Sequence, residues 1–470
     1  MKQINIAVIG AGPGGYAAAF AAADLGMNVT LIDPEKNPGG VCLFRGCIPS
    51  KALLHVAKLI NETKEAAHWG VEFGEPKIDL NKLRAFKNKV VAKLTGGLGV
   101  LTKQRKINFM QGHASFLSSS KLKIDKNDGT IEEKEFDKII VATGSVISSI
   151  PALQINSKRL LNSTSALDLQ VIPKSLLVVG GGYIGLELGS VYNALGTKVS
   201  VVEMMDGLLP GADRDLVAFL SKRLQSSFDK IMLESKVVEL KETKDGLSVK
   251  IQDKAGKTTE HVYDYVLMSI GRRPETAGLG LENTKVKTNQ RGWIVVNKQM
   301  QTDDSNIYAI GDIVGEPMLA HKAAHEARVA VEVIAGHKAA FEPLAIPAVV
   351  FTDPEIAWAG LTENQAKEKG IKFEVAKFPW AASGRATTLD RNDGVTKLII
   401  DPETERILGI GICGPGAGEL IAEGVLAIEM GANATDLKMT IHPHPTLSET
   451  VMEAAEVFFG QSTHMYRPKK

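Results

Sequence analysis

The chain has 470 residues, of which 44% are hydrophobic and 23% are charged, the balance of a globular protein. Its 55 basic and 54 acidic residues leave a net charge of +1, which argues against electrostatic binding to nucleic acid or to an anionic membrane. The length exceeds that of one ordinary core and predicts roughly two to four domains.

The first residues, "MKQINIAVIGAGPGG", lack the charged start, long apolar region and small-residue cleavage site of a secretory signal. No window approaches the ~18 consecutive apolar residues of a membrane-spanning helix. Three cysteines do not make a disulfide framework, and the cytosol keeps structural thiols reduced. We therefore expect a cytoplasmic protein without a membrane span, in which any disulfide forms and breaks during turnover.

The chain opens with the pattern of a βαβ unit. The run "INIAVI" at 4–9 predicts a buried strand, the alanine-rich "GGYAAAFAAADLG" predicts a helix that ends at Gly26, and "VTLID" predicts a second strand. The pattern returns at 176–203, with the strand "LLVVG", a helix from about Gly182 to Leu195 and the strand "KVSVVE". Two such units predict two nucleotide-binding domains.

Two further strands that run into a glycine turn lie at 136–145 ("FDKIIVATGS") and 307–315 ("IYAIGDIVG"), where we expect the chain to cross between domains. Beyond about Pro347, shorter strand-like runs and a helix from roughly Gly418 to Met430 predict a separate C-terminal domain. The predicted domains are 1–148, 149–275, 276–346 and 347–470.

Each βαβ unit carries the glycine pattern of a dinucleotide-binding loop. The glycines are Gly10, Gly12 and Gly15 in the first unit and Gly180, Gly182 and Gly185 in the second. Backbone without side chains lets a pyrophosphate approach the N–H groups at a helix N-terminus. Asp33 and Glu203 each stand 23 positions after the first glycine of their loop, where a carboxylate accepts hydrogen bonds from an adenosine ribose. The alternative is a glycine turn that merely packs a helix on a sheet.

Glu203 also indicates which dinucleotide binds. An acid at this position accepts a ribose 2′-hydroxyl and repels a 2′-phosphate, so the second loop favours NAD over NADP. If one loop binds a nicotinamide cofactor, the other most economically binds FAD, because a flavin can exchange electrons with both nicotinamide and sulfur. The expected cofactors are therefore FAD and NAD.

Two of the three cysteines, Cys42 and Cys47, stand five positions apart in "GGVCLFRGCIPSK". In an undistorted helix their Cα atoms would be roughly 8.6 Å apart, beyond the reach of a disulfide. Gly46 and Pro49 predict a distorted turn that leaves Cys47 near a helix N-terminus, where a thiolate is stabilised. The alternative is two unrelated buried thiols, and for Cys413 a buried apolar role is the interpretation we prefer.

With these residues assembled, the chain resembles the pyridine nucleotide–disulfide oxidoreductases over almost all of 1–460. The matching motifs are "GAGPGG", "GGVC....GCIPSKALLH", "VATGS", "GGGYIGLELG", "IGRRP", "AIGDIVGEPMLAHKAAHE", "FPWAASGRA" and "HPHPTLSE". The resemblance implies an α/β fold with two Rossmann-like dinucleotide-binding domains for FAD (1–148) and NAD (149–275), a central domain, and a C-terminal α+β dimerisation domain.

The resemblance also implies roles for single residues. Cys42 and Cys47 would be a redox pair, with Cys42 exchanging with substrate and Cys47 facing the flavin. Lys51 would lie beside the flavin N5, paired with Glu187, and Asp312 would hold the ribityl chain. Further implied FAD contacts are Gly40, Val41, Ala114, Gly144 and Ala320. Implied NAD contacts are Tyr183, Ile184, Val237 and Gly271.

His444 and Glu449 match the family's base and the carboxylate that orients it. A dithiol with a pKa near 8.5 is mostly protonated at neutral pH, so an imidazole must take the proton from the attacking sulfur. The implied activity is oxidation of protein-bound dihydrolipoamide to lipoamide with reduction of NAD⁺. His444 lies far along the chain from the cysteines, so the family architecture implies a homodimer in which it serves the other subunit. The implied protein partner is a lipoyl-bearing acyltransferase or a glycine-cleavage protein.

Other interpretations remain open. Glu203 disfavours an NADP-dependent glutathione reductase, the lack of a C-terminal cysteine disfavours mercuric reductase, and a non-catalytic scaffold would not need Cys42, Cys47, His444 and Glu449 together. Metal binding by His442 and His444, or by His321 and His325, is disfavoured, and no metal is expected.

One departure from the family is Phe44 and Arg45, which replace asparagine and valine between the cysteines. We hypothesise that the Arg45 charge lowers the pKa of Cys47 and shifts the redox potential modestly.

Overall fold

The computed structural model describes residues 3–466, so the outermost ends of the first and last predicted domains lie outside the described residues. The first sheet contains the N-terminal βαβ unit. Its seven strands are, from edge to edge, Ile307–Ala309, Lys138–Val141, Asn5–Ile9, Asn28–Asp33, Asn108–Phe116, Lys121–Lys126 and Ile131–Glu135. The strands from Ile307–Ala309 to Asn108–Phe116 pair in parallel, and the last two are added antiparallel. Hydrophobic clusters cover both faces, which explains why "INIAVI" is apolar throughout rather than alternating.

The predicted central domain does not form a sheet separate from the first one. Its strand Ile307–Ala309 pairs in parallel with Lys138–Val141, and its helix Ala320–Ile334 packs against Pro13–Asp24. Parallel strands are buried on both faces, so the edge of the first sheet gives a strand from a distant segment an apolar place to pair. The predicted domain boundaries themselves stay predictions.

The second sheet repeats the parallel arrangement around the second βαβ unit. Its strands are, in order, Lys230–Met232, Lys198–Val202, Ser175–Val179, Tyr265–Met268 and Leu160–Asn162. A three-stranded antiparallel sheet lies against it, with strands Lys236–Thr243, Gly246–Gln252 and Thr258–Tyr263. The short antiparallel strands Ser145–Ile147 and Arg272–Pro274 join the first unit to the second.

The C-terminal part of the chain has a five-stranded antiparallel sheet with its own hydrophobic cluster. Its strands are, in order, Ala348–Val350, Ile356–Gly360, Ile407–Cys413, Val395–Ile400 and Glu374–Pro379. The helix predicted from Gly418 to Met430 is observed at Ala417–Met430 and packs on this sheet.

The α-helices flank the sheets, and the first turns of several helices carry residues of the candidate site. They are Pro13–Asp24, Gly40–Arg45, Cys47–Glu65, Leu80–Gln104, Ser163–Leu167, Tyr183–Ala194, Arg214–Ser227, Ala320–Ile334, Glu363–Glu368, Gly384–Thr388, Ala417–Met430, Ala434–Met439 and Glu449–Phe458. Short 3-10 turns lie at Ala66–Trp69, Pro151–Leu153, Leu281–Asn283, Gly311–Val314 and Trp380–Ala382. Within residues 3–466, no helix has the length and apolar character needed to cross a bilayer.

Candidate active site

Two of the three glycines in each loop are required by the packing of the chain itself. Gly10 has φ +93°, and a Cβ there would lie 2.4 Å from the carbonyl oxygen of Ala142. A Cβ on Gly15 would lie 1.8 Å from the carbonyl oxygen of Gly10. The second loop repeats this with Gly180, at φ +106°, and with Gly185, whose Cβ would lie 2.5 Å from the Gly180 oxygen. Close packing of helix on strand therefore accounts for these outer glycines.

The middle glycine of each loop has no such explanation. A Cβ on Gly12 would meet nothing closer than 3.9 Å, and one on Gly182 would meet nothing within 4 Å. Each caps the N-terminus of a helix, Pro13–Asp24 or Tyr183–Ala194, without a side-chain hydrogen bond to the first N–H groups. The room above these N–H groups fits the pyrophosphate of a dinucleotide, which needs close approach to bare backbone.

The acid that follows each loop is held by the loop itself. The backbone N–H of Ala11 donates to Asp33 Oδ2 at 2.7 Å, and that of Gly181 donates to Glu203 Oε2 at 2.6 Å. The other carboxylate oxygen accepts the N–H two residues further along the chain in both cases, at 2.9 Å and 2.8 Å. Burial raises the pKa of Asp33. Each carboxylate is thus fixed where the end of its strand meets the loop, the position predicted for ribose binding.

The cysteine turn consists of residues 40–51 and contains two helices. Cys42 lies in the short helix Gly40–Arg45, and Cys47 is the first residue of Cys47–Glu65. Gly46 separates the helices, and a Cβ there would lie 2.8 Å from a carbonyl oxygen of the first helix. This break in the helix is the distortion that the sequence predicts, and it brings the two sulfurs together.

The environment gives the two thiols different acidities. Both are free thiols in this structure, and the Cys42 side chain forms a hydrogen bond with that of Cys47. That hydrogen bond, and the nearby ammonium of Lys51, lower the pKa of Cys47 to about 7, although partial desolvation of this exposed residue opposes them. The same hydrogen bond, together with burial, raises the pKa of Cys42. The environment therefore favours a thiolate on Cys47 over one on Cys42.

Lys51 and Glu187 form an ion pair next to the cysteines. Lys51 Nζ lies 2.7 Å from Glu187 Oε2, and the Glu187 side chain is only 4% exposed. Ser50 Oγ donates to the same oxygen at 3.0 Å, and the Phe351 N–H donates to Oε1 at 3.0 Å. The Lys51 ammonium also lies 4.5 Å from the centre of the Phe351 ring. The pair connects the cysteine helix with the helix of the second glycine loop.

Asp312 lies in the 3-10 turn Gly311–Val314, which we call the Asp312 turn. Ser145 Oγ donates to Asp312 Oδ2 at 2.5 Å. Arg272 Nε donates in turn to Ser145 Oγ at 2.8 Å. The carboxylate is therefore oriented by a serine and an arginine from the strands that join the first two units.

The pKa values of two tyrosines depend on the cysteines and on the charged groups around them. Burial, and then the electrostatic effect of the neighbouring cysteine pair, raise the pKa of Tyr16. Burial, and then the charge of Cys47, raise the pKa of Tyr183 to about 12. The other charged groups that act on Tyr183 are Arg272, Glu187 and Asp312. Cys47, Glu187 and Asp312 therefore all lie within electrostatic range of Tyr183, the first residue of the second glycine-loop helix.

His444 and Glu449 form a hydrogen-bonded pair on the C-terminal unit. His444 Nδ1 lies 2.9 Å from Glu449 Oε1, and the Thr446 N–H donates to Glu449 Oε2 at 2.7 Å. Burial opposes these two hydrogen bonds, yet the pKa of Glu449 lies below its ordinary value. The His444 side chain is 71% exposed, so its Nε2 faces outward. Within residues 3–466, no hydrogen bond or ion pair joins His444 to Cys42 or Cys47.

The remaining predicted cofactor contacts lie at strand ends and in the first turns of helices. A Cβ on Gly40, which has φ +57°, would lie 2.5 Å from the Cα of Gly12, so the cysteine turn closes onto the first glycine loop. The other predicted FAD contacts are Val41 in Gly40–Arg45, Ala114 in Asn108–Phe116, Gly144 after Lys138–Val141, and Ala320 as the first residue of Ala320–Ile334. The other predicted NAD contacts are Ile184 in Tyr183–Ala194, Val237 in Lys236–Thr243, and Gly271 just before Arg272–Pro274. Their roles stay predictions.

Two of the histidines considered as metal ligands, His442 and His321, have other partners. His442 Nε2 lies 2.7 Å from Glu423 Oε1, and its Nδ1 lies 2.9 Å from the Thr440 carbonyl oxygen. His321 Nε2 lies 2.8 Å from the carbonyl oxygen of Pro347. Cys413 is fully buried in a hydrophobic cluster, the environment predicted for it.

One cluster of three carboxylates has metal-like spacing, formed by Asp213, Asp215 and Glu363. The ammonium of Lys397, which is 1% exposed, contacts all three at 2.6, 2.8 and 3.1 Å. A lysine therefore occupies the position that a cation would need, and the cluster connects the second unit to the C-terminal sheet.

Arg45 forms an ion pair with Glu35. Its charge also acts on Asp33, at the ribose end of the first glycine loop. The hypothesised effect of Arg45 on Cys47 stays a prediction, and the ion pair gives a physical reason to expect a small one.

The sequence reasoning did not single out several residues that complete the site: Tyr16, Ser50, Ser145, Arg272 and Phe351. The first four lie in or directly beside motifs already quoted, "GAGPGG", "GCIPSK", "VATGS" and "IGRRP". Nothing in the sequence near Phe351 indicates that its N–H and ring meet Glu187 and Lys51, because that contact depends on how the C-terminal unit packs.

Comparison with known families gives two matches that together span most of the chain. Residues 4–327 match the pyridine nucleotide-disulphide oxidoreductase model, and residues 346–455 match the dimerisation domain of the same family.

Individual relatives match over nearly the whole chain. A dihydrolipoyl dehydrogenase of Haemophilus influenzae is 50% identical over 467 residues, which covers 99% of this chain and 97% of the relative. One of Vibrio cholerae is 48% identical, covering 99% and 98%. The crystal structure of LpdA from Mycobacterium tuberculosis aligns with a TM-score of 0.89 at 28% identity, covering 96% of this chain and 99% of that one. The flavoprotein disulfide reductase RclA of Escherichia coli aligns with a TM-score of 0.84 at 28% identity, covering 95% and 98%.

Proposed function

The chain belongs to the pyridine nucleotide-disulphide oxidoreductase family, and from this premise we propose that it catalyses the reaction of the dihydrolipoyl dehydrogenases. In that reaction protein-bound dihydrolipoamide is oxidised to lipoamide and NAD⁺ is reduced. The observation that carries the proposal is the thiol pair Cys42 and Cys47, placed in adjacent helices of the cysteine turn, beside the Lys51–Glu187 ion pair and against the first dinucleotide loop.

The enzyme uses FAD and NAD. We assign FAD to the first glycine loop because the cysteine turn contacts that loop through Gly40 and Gly12. NAD is assigned to the second loop, where Glu203 suits an unphosphorylated ribose. Asp312, Ala114, Gly144 and Ala320 would hold FAD with the first loop. Bound FAD supplies a two-electron carrier between sulfur and nicotinamide.

The acidities of the two sulfurs suit thiol–disulfide exchange. When the pair is oxidised, a substrate thiolate attacks Cys42 and displaces Cys47, whose leaving thiolate is favoured by the Lys51 ammonium. The second substrate sulfur then attacks the mixed disulfide, which releases lipoamide and leaves Cys42 and Cys47 reduced. Lys51 stabilises the negative charge that remains on Cys47.

His444 is proposed as the base that prepares the substrate thiolate. Glu449 holds the Nδ1 side of the ring, which leaves Nε2 to accept the proton and stabilises the imidazolium that results. The match to a dimerisation domain supports a homodimer. Because His444 is exposed and its hydrogen-bond partner is Glu449 rather than a cysteine of its own chain, we place it at the cysteines of the other subunit.

The proposed protein substrates are lipoyl-bearing acyltransferases or glycine-cleavage proteins, with free dihydrolipoamide as a small-molecule substrate. The relatives named for this activity cover almost the full length of the chain, which supports this choice. A cytoplasmic location is part of the proposal.

The test is a turnover assay with the FAD-loaded protein under anaerobic conditions. Dihydrolipoamide and NAD⁺ should give NADH, and NADP⁺ should replace NAD⁺ poorly because of Glu203. Glutathione disulfide and Hg²⁺, each with NADH or NADPH, serve as the alternative substrates. An unchanged flavin spectrum after addition of dihydrolipoamide would contradict the proposal and favour a non-catalytic scaffold.

A further inference from the structure

A buried ion pair lies directly behind the Asp312 turn. Lys322 and Glu326 stand one turn apart on helix Ala320–Ile334, with Nζ and Oε1 2.6 Å apart and side chains that are 6% and 2% exposed. An ion pair this deeply buried repays its desolvation only with good geometry and further hydrogen bonds. Both residues find those hydrogen bonds on the backbone of the Asp312 turn.

Glu326 holds the start of the turn, and Lys322 approaches its end. The Gly311 N–H donates to Glu326 Oε2 at 2.7 Å. Lys322 Nζ donates to the Gly315 carbonyl oxygen at 3.4 Å. Gly311 and Gly315 both have positive φ, +81° and +131°, a conformation that residues with side chains rarely adopt. The ion pair therefore contacts the backbone at two residues whose conformation favours glycine.

Asp312 lies between these two fixed points. Its carboxylate accepts from Ser145 on one side, while its backbone is held from the other side through Gly311. Ala323, between the two charged residues, would lie 3.2 Å from a Cβ on either Gly311 or Gly14, the second residue of the first glycine-loop helix. The first turns of helix Ala320–Ile334 therefore contact both the Asp312 turn and the first glycine loop.

We infer that Lys322 and Glu326 are positioning residues, which hold the Asp312 turn in the conformation that lets Asp312 bind the FAD ribityl chain. This inference rests on the assignment of Asp312 under the proposed function. Glu326 acts through the acceptor oxygen that it offers to Gly311, and Lys322 acts chiefly by keeping that carboxylate paired in a dry environment.

Replacing only one partner would leave a buried charge unpaired and could unfold the protein, so the test replaces both. K322M/E326M exchanges the ion pair for apolar side chains of similar length, a change that is often neutral for stability. K322M/E326Q also removes both charges but keeps an acceptor oxygen for Gly311. K87M is the matched control, since Lys87 is a buried lysine whose ammonium donates to a backbone carbonyl, that of Leu167, at 2.7 Å.

The measurements are the Kd of the apoprotein for FAD, from quenching of flavin fluorescence, and the denaturant midpoint of each apoprotein. K322M/E326M should raise the Kd about tenfold, the effect of losing one buried hydrogen bond. K322M/E326Q should recover most of that loss, and K87M should leave the Kd unchanged. In a D312A background, K322M/E326M should have no further effect.

The inference is overturned if K322M/E326M binds FAD as tightly as the parent, if the glutamine variant is no better than the methionine variant, or if the loss persists undiminished in the D312A background. D312A alone tests the underlying assignment. If D312A binds FAD like the parent, the role of Asp312 fails and this inference fails with it. If D312A weakens binding and K322M/E326M does not, only the positioning role is wrong.

Discussion

The first and second glycine loops share three glycines and one carboxylate contact, yet the chain covers them differently. Around the first loop, Gly40 of the cysteine turn approaches Gly12, and Asp33 is 8% exposed. Around the second, a Cβ on Gly182 would have nothing within 4 Å. Met204 and Met205, which follow Glu203, are 68% and 52% exposed.

The difference teaches how one motif can serve two kinds of ligand. A dinucleotide on the first loop would be enclosed by the cysteine turn and by helix Ala320–Ile334, and would stay bound through many turnovers. One on the second loop would leave by an open face. We expect this contrast for a carrier that remains in place and a co-substrate that exchanges once per turnover.

The largest effect should come from removing one sulfur of the cysteine pair. C47S should lower dihydrolipoamide-dependent NAD⁺ reduction at least about 1000-fold, because no second sulfur can close the disulfide. Reduction of bound FAD by NADH should persist, since it depends on the second loop. Stopped-flow absorbance measures both steps. C413A, which alters a cysteine buried in a hydrophobic cluster, should keep both steps. A C47S enzyme with the turnover of the parent would show that the cysteine pair takes no part in the reaction.

The next largest effect should come from removing the proposed base, His444, which lies in neither glycine loop. H444A should lower turnover with dihydrolipoamide about 100- to 10,000-fold at pH 7, the usual contribution of a positioned base. The loss should shrink as pH rises toward the substrate thiol pKa of about 8.5, because the thiolate then forms without help. The pH profile of steady-state NADH formation checks this.

H442A is the control for this prediction, because His442 lies two residues away and is paired with Glu423 instead. A mixed dimer of H444A chains and C42S chains adds a direct test of the dimer assignment. One of its two composite sites combines an intact histidine with an intact cysteine pair only if the histidine acts across the interface. Absence of any activity in the mixed dimer would place His444 and the cysteines in the same chain.

Matched alanine substitutions of the two middle glycines test the contrast directly. G12A should weaken FAD binding about tenfold or more and leave the KM for NAD⁺ nearly unchanged in enzyme saturated with FAD. G182A should do the reverse, because its Cβ fills the space above the other helix N-terminus. Both variants should fold, since neither Cβ would lie closer than 3.9 Å to another atom of the described residues. If both substitutions affected the same cofactor, the assignment of the loops would be wrong.

Much of this contrast could be predicted from sequence because it depends on short-range patterns. The buried strands, the helices after the glycines and the acids at Asp33 and Glu203 follow from local spacing, and the structure has them where the patterns put them. The segments that pack around each loop could not be predicted in the same way. The contact of Phe351 with Glu187 and the addition of strand Ile307–Ala309 to the first sheet depend on the packing of distant segments.

Arg45 illustrates the same limit at one side chain. In sequence it stands two residues before Cys47, and proximity along the chain suggests that its charge acts on that sulfur. In the structure the short helix ends at Arg45, and the guanidinium meets Glu35 near Asp33. A long side chain is placed by the partner it finds, which neighbours in sequence do not determine.

The smallest predicted effect is therefore that of R45V. The Arg45 side chain is 40% exposed and paired with Glu35, and exposed ion pairs contribute little, so the potential of the cysteine pair should shift by no more than about 20 mV. Thiolate absorbance of the reduced enzyme should still rise with a midpoint of about 7, because the hydrogen bond from Cys42 and the charge of Lys51 set the pKa of Cys47. Below that midpoint Cys47 is mostly the protonated thiol, and above it Cys47 is mostly the thiolate.

K51M, by contrast, should move the midpoint upward, since a cation that favours the thiolate is lost. If R45V moved the midpoint as far as K51M does, the charge of Arg45 would act on the sulfur despite its ion pair, and the cysteine turn would be electrostatically coupled to the ribose end of the first loop.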